Sequence, residues 1–135
     1  MNIGFTGSQD GMSRRQKETL KQVLTQFNLG RASTFRQGMC IGADTEAVSI
    51  AVDSTTALIV GYPPLNTDKM DKSVSSLCDE LKPPQDYLIR NHAIVDESDL
   101  LIAAPSGHLE VQRSGTWATV RYARRQNKPC IILDR

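Results

Sequence analysis

Short apolar runs alternate with amphipathic stretches along the whole chain, and this alternation limits the possible fold more than any other feature of the sequence. Five runs have the length and composition of strands, namely "NIGFTG", "STFRQG", "ALIVG", "DLLIAAP" and "PCIILD". Strands that alternate with helices pair in parallel through right-handed crossovers, and helices then cover both faces of the sheet. We therefore predict a single doubly wound α/β domain spanning residues 1–135, with a mostly parallel five-stranded sheet and helices on both faces.

Four helices are predicted between these strands. Ser13 and Gln16 have the spacing of a capping box, which indicates a helix from there to about Phe27. The other three helices are predicted at residues 43–54, 86–97 and 116–126. The polar stretch 65–84 has no strand pattern, and we predict an irregular insertion there with at most one short helix.

Composition narrows the functional classes. The chain has 135 residues and a formal net charge of +1, so it lacks the basic excess of a dedicated duplex-DNA binder. No apolar run approaches the roughly 20 residues of a membrane span, and no signal-peptide pattern opens the sequence. The three cysteines are widely spaced, which argues against a disulfide framework and a zinc site. We expect a cytoplasmic protein that binds no metal, membrane or cofactor, and nucleic acid is a disfavoured partner.

Three small-residue turns each follow a predicted strand and precede a helix. The residues of these turns that we predict to contact a ligand are Gly7 and Ser8, then Gly42, Ala43 and Asp44, then Arg113, Ser114, Gly115 and Thr116. Ligands of open α/β sheets lie at the carboxyl ends of the strands, where helix N-termini offer free amides and a favourable dipole to an anion. Arg90 and Asn91, near the start of the third helix, are predicted to face the same cleft. The turns therefore predict a phosphate-binding site.

Each of these assignments has a simpler alternative. The Gly7 turn matches neither the Walker loop nor GxGxxG, and can be an ordinary turn. Asp44 can be a plain helix cap, and the Ser114 turn can be a capped helix beside a solvated arginine. Cys40 is assigned to the core, because no histidine base lies near it in the sequence.

With these motifs in place, the chain resembles the SLOG superfamily, the Rossmann-like group that includes DprA and the LOG phosphoribohydrolases. The similarity covers almost the whole chain and rests on "GFTGSQDGM", "GMCIGADTEA", "RNHAIVDESDLLIAAP" and "RSGTWAT", in that order. The resemblance implies a site for a nucleotide or a nucleotide-derived ligand.

The departures from the LOG pattern concern catalysis. The resemblance assigns the catalytic arginine to Arg90, but the glutamate that works with it corresponds to Thr119 in this chain. Threonine is uncharged at neutral pH and cannot replace a carboxylate that stabilises a cationic transition state or activates water. Arg113 and Ser114 replace the glycine pair of the LOG motif. We therefore expect no catalytic residues, and binding without turnover.

The leading hypothesis is a non-catalytic binder of a nucleotide or of an NAD-derived or cyclic signalling nucleotide. As the resemblance implies, it would act as a sensor in anti-phage defence or, if encoded by a phage, as a sponge. The alternative is a LOG-like phosphoribohydrolase or N-glycosidase acting on nucleoside monophosphates, with Asp44, Glu46 or Glu110 as the carboxylate. We also expect a homo-oligomer, with the third or fourth helix at the interface, because Trp117, Val120 and Tyr122 are more apolar than a solvated helix needs.

Overall fold

The computed structural model describes residues 1–112 and 114–135, and it contains one open parallel sheet. The helices are α1 (Arg14–Phe27), α2 (Ala43–Ser54), α3 (Tyr87–Asp96) and α4 (Gly115–Arg125), with a 3-10 helix at Lys72–Leu77. The strands are β1 (Asn2–Gly7), β2 (Thr34–Gln37), β3 (Leu58–Gly61), β4 (Glu80–Leu81), β5 (Leu100–Ala104) and β6 (Cys130–Ile132). Their order in the sheet is β4-β3-β2-β1-β5-β6, and all neighbouring pairs are parallel. The predicted α/β class is confirmed.

The predicted number of strands is wrong, because the described sheet has six strands and not five. The additional strand, β4, lies in the stretch expected to be irregular, and its two residues pair with Val60 and Gly61 of β3. Asp79 fixes this register, since its backbone amide donates to Ile59 O at 2.8 Å and its carboxylate accepts from Ile59 N at 2.8 Å. Two exposed residues at a sheet edge carry no hydrophobic period, so the sequence gives no signal for them.

Helices cover both faces of the sheet. On one face, Leu20 and Leu24 of α1 belong to the same buried cluster as Phe5 and Phe35 of the strands. The capping box of α1 is present, with Ser13 Oγ accepting from Gln16 N at 3.1 Å. This helix therefore begins where the sequence predicts.

The apolar residues of α4 are not an exposed surface, which corrects the argument for an interface on this helix. Trp117 and Val120 are buried on the second face of the sheet, in a cluster with Leu101 and Ala103. The ring of Tyr122 stacks on His92 with a centroid distance of 3.6 Å, and its hydroxyl donates to Asp96 Oδ1 at 2.7 Å. These residues stabilise the chain itself.

The four α-helices are 10 to 14 residues long. Among the described residues, no helix has both the length and the apolar character needed to cross a membrane.

Candidate ligand-binding cleft

A cleft of about 440 Å³ lies between the β1–α1 loop, the β2–α2 loop and the starts of α3 and α4. The chain extends the sheet from β1 through β2, β3 and β4 in one direction, then returns to place β5 on the other side of β1. The connections that follow β1 and β5 lead to helices on opposite faces of the sheet at this reversal, which is where open α/β sheets bind ligands. The topology therefore explains why a cleft forms here.

The structure brings most of the predicted site residues to this cleft. Those that line it are Gly7, Ser8, Asp44, Arg90, Asn91, Ser114, Gly115 and Thr116. Gly42 and Ala43 are not among the residues that line it, and Arg113 lies outside the described residues. The three turns, which are far apart in the sequence, thus face one shared space.

Gly42 and Ala43 hold the first loop in place from behind the cleft. Ala43 N donates to Ser8 O at 3.0 Å, so this amide is already used within the protein. Gly42 has a φ of 84°, and a Cβ atom there would collide with the backbone carbonyl of Gln9. The two residues therefore support the site without facing it.

In the first loop, the protein itself uses most of the polar groups of Ser8. Ser8 N donates to Ala104 O at 3.0 Å, and Ser8 Oγ accepts from Asp10 N at 3.1 Å. Ser8 O accepts from Gly11 N as well as from Ala43 N. The Ser8 hydroxyl keeps its proton for a ligand, whereas its backbone groups are committed.

The start of α4 is the part of the cleft best suited to an anion. Ser114 is the N-cap and accepts from Trp117 N at 3.3 Å, as a capped helix requires. The amides of Gly115 and Thr116 have no acceptor within the described parts of the chain, and both residues line the cleft. A Cβ atom on Gly115 would have no neighbour within 4 Å among residues 1–112 and 114–135, so those residues leave this side of the turn open. Capping and anion binding are compatible here.

Arg90 is buried, and most of its donors are bound by the protein. Nη1 donates to Gly38 O at 2.6 Å and to Tyr62 O at 3.1 Å, while Nε donates to Asn91 Oδ1 at 2.9 Å. Nη2 contacts Cys40 Sγ at 3.7 Å. Since a guanidinium carries five N–H donors, one donor of Nη2 is left without an acceptor within ranges 1–112 and 114–135. Arg90 thus fixes the β2–α2 loop and places a positive charge beside the cleft.

Asp44 is a buried carboxylate in the wall of the cleft. Its Oδ2 accepts from Cys40 N at 3.2 Å, whereas its Oδ1 is buried and makes no hydrogen bond with any described residue. Burial raises the pKa of Asp44 from 3.8 to about 6, against the lowering effects of the Arg90 charge and of the backbone amides of Cys40 and Gly38. The carboxylate does not cap α2, because the N-cap is Gly42 and makes no side-chain bond.

Sequence reasoning missed several residues of the cleft. Ser106 follows β5 in a Ser-Gly turn, so the rule applied to the other turns would have found it. Cys40 is buried as predicted but also lines the cleft, and burial raises the pKa of its thiol, which disfavours a nucleophilic role. Tyr87 lies with its ring 5.2 Å from the Arg90 guanidinium carbon, and nothing in its sequence context marks it.

The other two candidate carboxylates are engaged elsewhere. Glu46 accepts from Met12 N at 2.6 Å and pairs with Lys17 at 2.9 Å. Glu110 pairs with Arg121 at 3.0 Å on the surface of α4. Neither is a lining residue, and the described residues contain no group of three or more His, Cys, Asp or Glu side chains that could hold a metal ion.

Among known proteins, the chain is similar to solved structures. No protein-family model matches the chain, and no curated protein matches its sequence at a significant level. A molybdenum cofactor binding protein from the phototrophic bacterium Rippkaea orientalis is similar with a TM-score of 0.72 and 23% identity, covering 99% of this chain and 76% of that one. The molybdenum cofactor carrier protein of Chlamydomonas reinhardtii is similar with a TM-score of 0.67 and 21% identity, covering 97% and 74%.

DNA processing protein A from Helicobacter pylori, described as binding single-stranded DNA, is similar with a TM-score of 0.70 and 15% identity. The match covers all of this chain and 66% of that one. At these identities the likeness concerns the fold and not the activity. The chain therefore shares the Rossmann-like α/β fold of these proteins, which agrees with the fold expected from the sequence.

Proposed function

We propose that this chain, acting as one domain over residues 1–135, binds a nucleotide or a nucleotide-derived ligand without converting it. The observation that carries the proposal is the start of α4, where two amides without acceptors in the described chain face a cleft at the reversal of strand order. A helix N-terminus carries roughly +0.5 of an elementary charge, so a phosphate group is the natural occupant. The hydroxyls of Ser114 and Thr116 add further donors.

The absence of turnover is supported by the residue that replaces the LOG glutamate. Thr119 is only 2% exposed, and its hydroxyl donates to Gly115 O at 2.9 Å. It therefore has neither the charge nor the freedom to act on a ligand. Glu46 and Glu110 are held in ion pairs outside the cleft.

The alternative, a phosphoribohydrolase or N-glycosidase, keeps one of its three candidate carboxylates. Asp44 lines the cleft, has an unpartnered oxygen and lies close enough to Arg90 to be affected by its charge. A panel of nucleoside monophosphates incubated with the protein and followed by chromatography separates the two functions. Release of free base that is lost in Asp44→Asn would establish the enzyme.

The ligand class we favour is a signalling nucleotide, NAD-derived or cyclic, which the protein would sense or sequester in defence or counter-defence against phages. Structural neighbours described as binding the molybdenum cofactor or single-stranded DNA show that this fold accommodates varied ligands. Mass spectrometry of small molecules released from the purified protein tests this class directly. The molybdenum cofactor belongs in the same search.

The central prediction is that Gly115→Val weakens ligand binding and leaves the fold intact. The new side chain enters open space at the start of α4, where it fills the position proposed for the phosphate. Calorimetry with the released ligand should show at least a tenfold loss of affinity, since a lost hydrogen bond to a charged group is worth about 1.5–3 kcal/mol. The circular dichroism spectrum should not change.

Gly30→Val is the matched control, because Gly30 is equally open and does not line the cleft. It should bind like the parent protein. If Gly115→Val also binds like the parent, the start of α4 is only a capped helix.

We further propose that the protein is a cytoplasmic homo-oligomer. Cys40, Cys78 and Cys130 are all free thiols, as a reducing compartment allows. Since the apolar residues of α4 are buried, α3 is the better candidate for the interface. Its Leu88 and Ile89 are exposed.

A further inference from the structure

The Asp44 carboxylate is only half satisfied by the protein. Asp44 is 5% exposed, its Oδ2 accepts from Cys40 N, and its Oδ1 is buried with no donor among the described residues. Buried polar groups of proteins nearly always have a partner, and an unpaired carboxylate oxygen is among the costliest exceptions. The residue lines the cleft, so a small rotation of its side chain would bring the buried Oδ1 to a molecule bound there.

The charged groups around Asp44 do not supply the missing donor. Arg90 approaches from α3, but its Nε and Nη1 donate to Asn91, Gly38 and Tyr62. It forms no salt bridge with Asp44 within 4.0 Å. The Cys40 thiol of the β2–α2 loop lies near Asp44 but makes no hydrogen bond with its Oδ1. The Asp10 carboxylate of the first loop is itself an acceptor. The backbone amide of Gly38 is near enough to lower the pKa of Asp44, but its geometry does not make a hydrogen bond with Oδ1. The surroundings thus offer positive charge without a hydrogen bond to this oxygen.

We propose that Asp44 Oδ1 accepts a hydrogen bond from an O–H or N–H group of the sugar or base of the bound nucleotide. This inference rests on the proposed function, because it assumes that a nucleotide occupies the cleft. A phosphate oxygen cannot be the partner, since two anions repel each other in a buried site. The ligand is therefore oriented with its phosphate on the amides of α4 and a neutral donor on Asp44.

The test is calorimetry at pH 8 with AMP, GMP, CMP, UMP and inorganic pyrophosphate, for the parent protein and for Asp44→Asn. The asparagine oxygen can keep the hydrogen bond from Cys40 N, but the NH2 group then takes the position of Oδ1. An NH2 group cannot accept a hydrogen bond from the O–H or N–H donor of the ligand. We expect the affinity for the best nucleoside monophosphate to fall about tenfold to a hundredfold. Pyrophosphate, which lacks a neutral donor, should bind Asp44→Asn as well as the parent or more tightly.

The 2′,3′-dideoxy form of the best nucleotide identifies the donor. If a sugar hydroxyl is the donor, the parent binds this analogue more weakly than the full nucleotide, and the Asp44→Asn substitution does not lower the affinity for the analogue any further. If a base N–H is the donor, the analogue binds like the full nucleotide and is still weakened by Asp44→Asn. Both results support the proposal.

Asp53→Asn is the matched control, because Asp53 is an exposed carboxylate on the same helix. It should leave all affinities unchanged. Equal binding of every nucleotide by the parent and by Asp44→Asn would overturn this inference and leave the proposed function standing. Should the parent bind none of these nucleoside monophosphates and also neither ADP-ribose nor cyclic AMP, both would be overturned.

Discussion

Asp44 shows at the scale of one residue how a binding role can oppose stability. Burial raises the pKa of its carboxyl from 3.8 to about 6, while the Arg90 charge and the nearby backbone amides offset only part of the effect. The native protein therefore holds this proton more tightly than the unfolded chain does. By linkage, the contribution of Asp44 to stability is favourable below about pH 4 and is lost as the pH rises through about 6.

Asp44→Asn should consequently stabilise the ligand-free protein at pH 8. The substitution removes a buried charge, and a shift of about two pKa units corresponds to an increase in the free energy of unfolding of up to about 3 kcal/mol. The gain should shrink toward zero at pH 4, where the parent carboxyl is protonated. Urea denaturation at the two pH values measures both quantities.

Asp53→Asn is again the control and should change the free energy of unfolding by less than about 0.5 kcal/mol. If Asp44→Asn proves less stable than the parent at pH 8, the carboxylate has a partner that stabilises its charged form. In that case the proposal that Asp44 Oδ1 binds a donor of the ligand would have no basis.

The residue scale also marks the limit of what the sequence could predict about the site. Asp44 stood out in the sequence because it follows a glycine turn and opens a helix. That its Oδ1 has no hydrogen-bond partner depends on Arg90 of α3, which lies more than forty positions away in the sequence. The guanidinium of Arg90 donates to the backbone carbonyls of Gly38 and Tyr62 and not to Asp44. Local patterns identify the residue, whereas only tertiary contacts determine its bonding.

At the scale of elements, the turn between β2 and α2 depends on its second glycine. Gly42 has a φ of 84° and a ψ of −123°, a conformation that residues with a side chain rarely adopt. An added Cβ atom would also meet the backbone of the first loop at Gln9. The turn and the loop can therefore pack together only with glycine at this position.

Gly42→Ala should lower the free energy of unfolding by at least about 2 kcal/mol, because backbone strain and a steric clash with main chain act together. Gly30→Ala is the comparison, since Gly30 has open space around it and no positive φ. Urea denaturation of both variants at pH 7 gives the difference. Equal stability of the two would mean that the loops can separate without cost.

Element prediction succeeded where a clear periodic pattern existed. α2 spans residues 43–54 as the sequence predicted, and α1 begins at its capping box. β4 was missed because its two residues are held by pairing with β3 and by the Asp79 side chain, and not by any property of their own. Short edge strands of this kind cannot be predicted from their own residues, because they form only by pairing with the rest of the sheet.

At the scale of the whole molecule, strand order determines where a site can form. Alternating strands and helices predicted a parallel doubly wound sheet, and that topology brings the carboxyl ends of β1 and β5 to the reversal point. The three turns meet there although more than a hundred positions separate the first from the last. The location of the cleft was therefore predictable from the sequence, but the identity of its ligand is not encoded in this geometry.

Assembly is the remaining property at this scale, and the exposed surface of α3 leads to the last prediction. Leu88 and Ile89 are 64% and 52% exposed on the helix that also contributes Arg90 to the cleft. Covering two adjacent apolar side chains favours association with a second copy, and partners meeting at α3 would lie beside the site. We expect light scattering at micromolar concentration to give the mass of a dimer or a larger oligomer, and the double variant Leu88→Glu with Ile89→Glu to be monomeric. Val52→Glu, at an exposed apolar position on α2, should keep the oligomeric mass of the parent. A monomeric parent would refute the prediction, because the exposed residues of α3 would then have no partner in the protein itself.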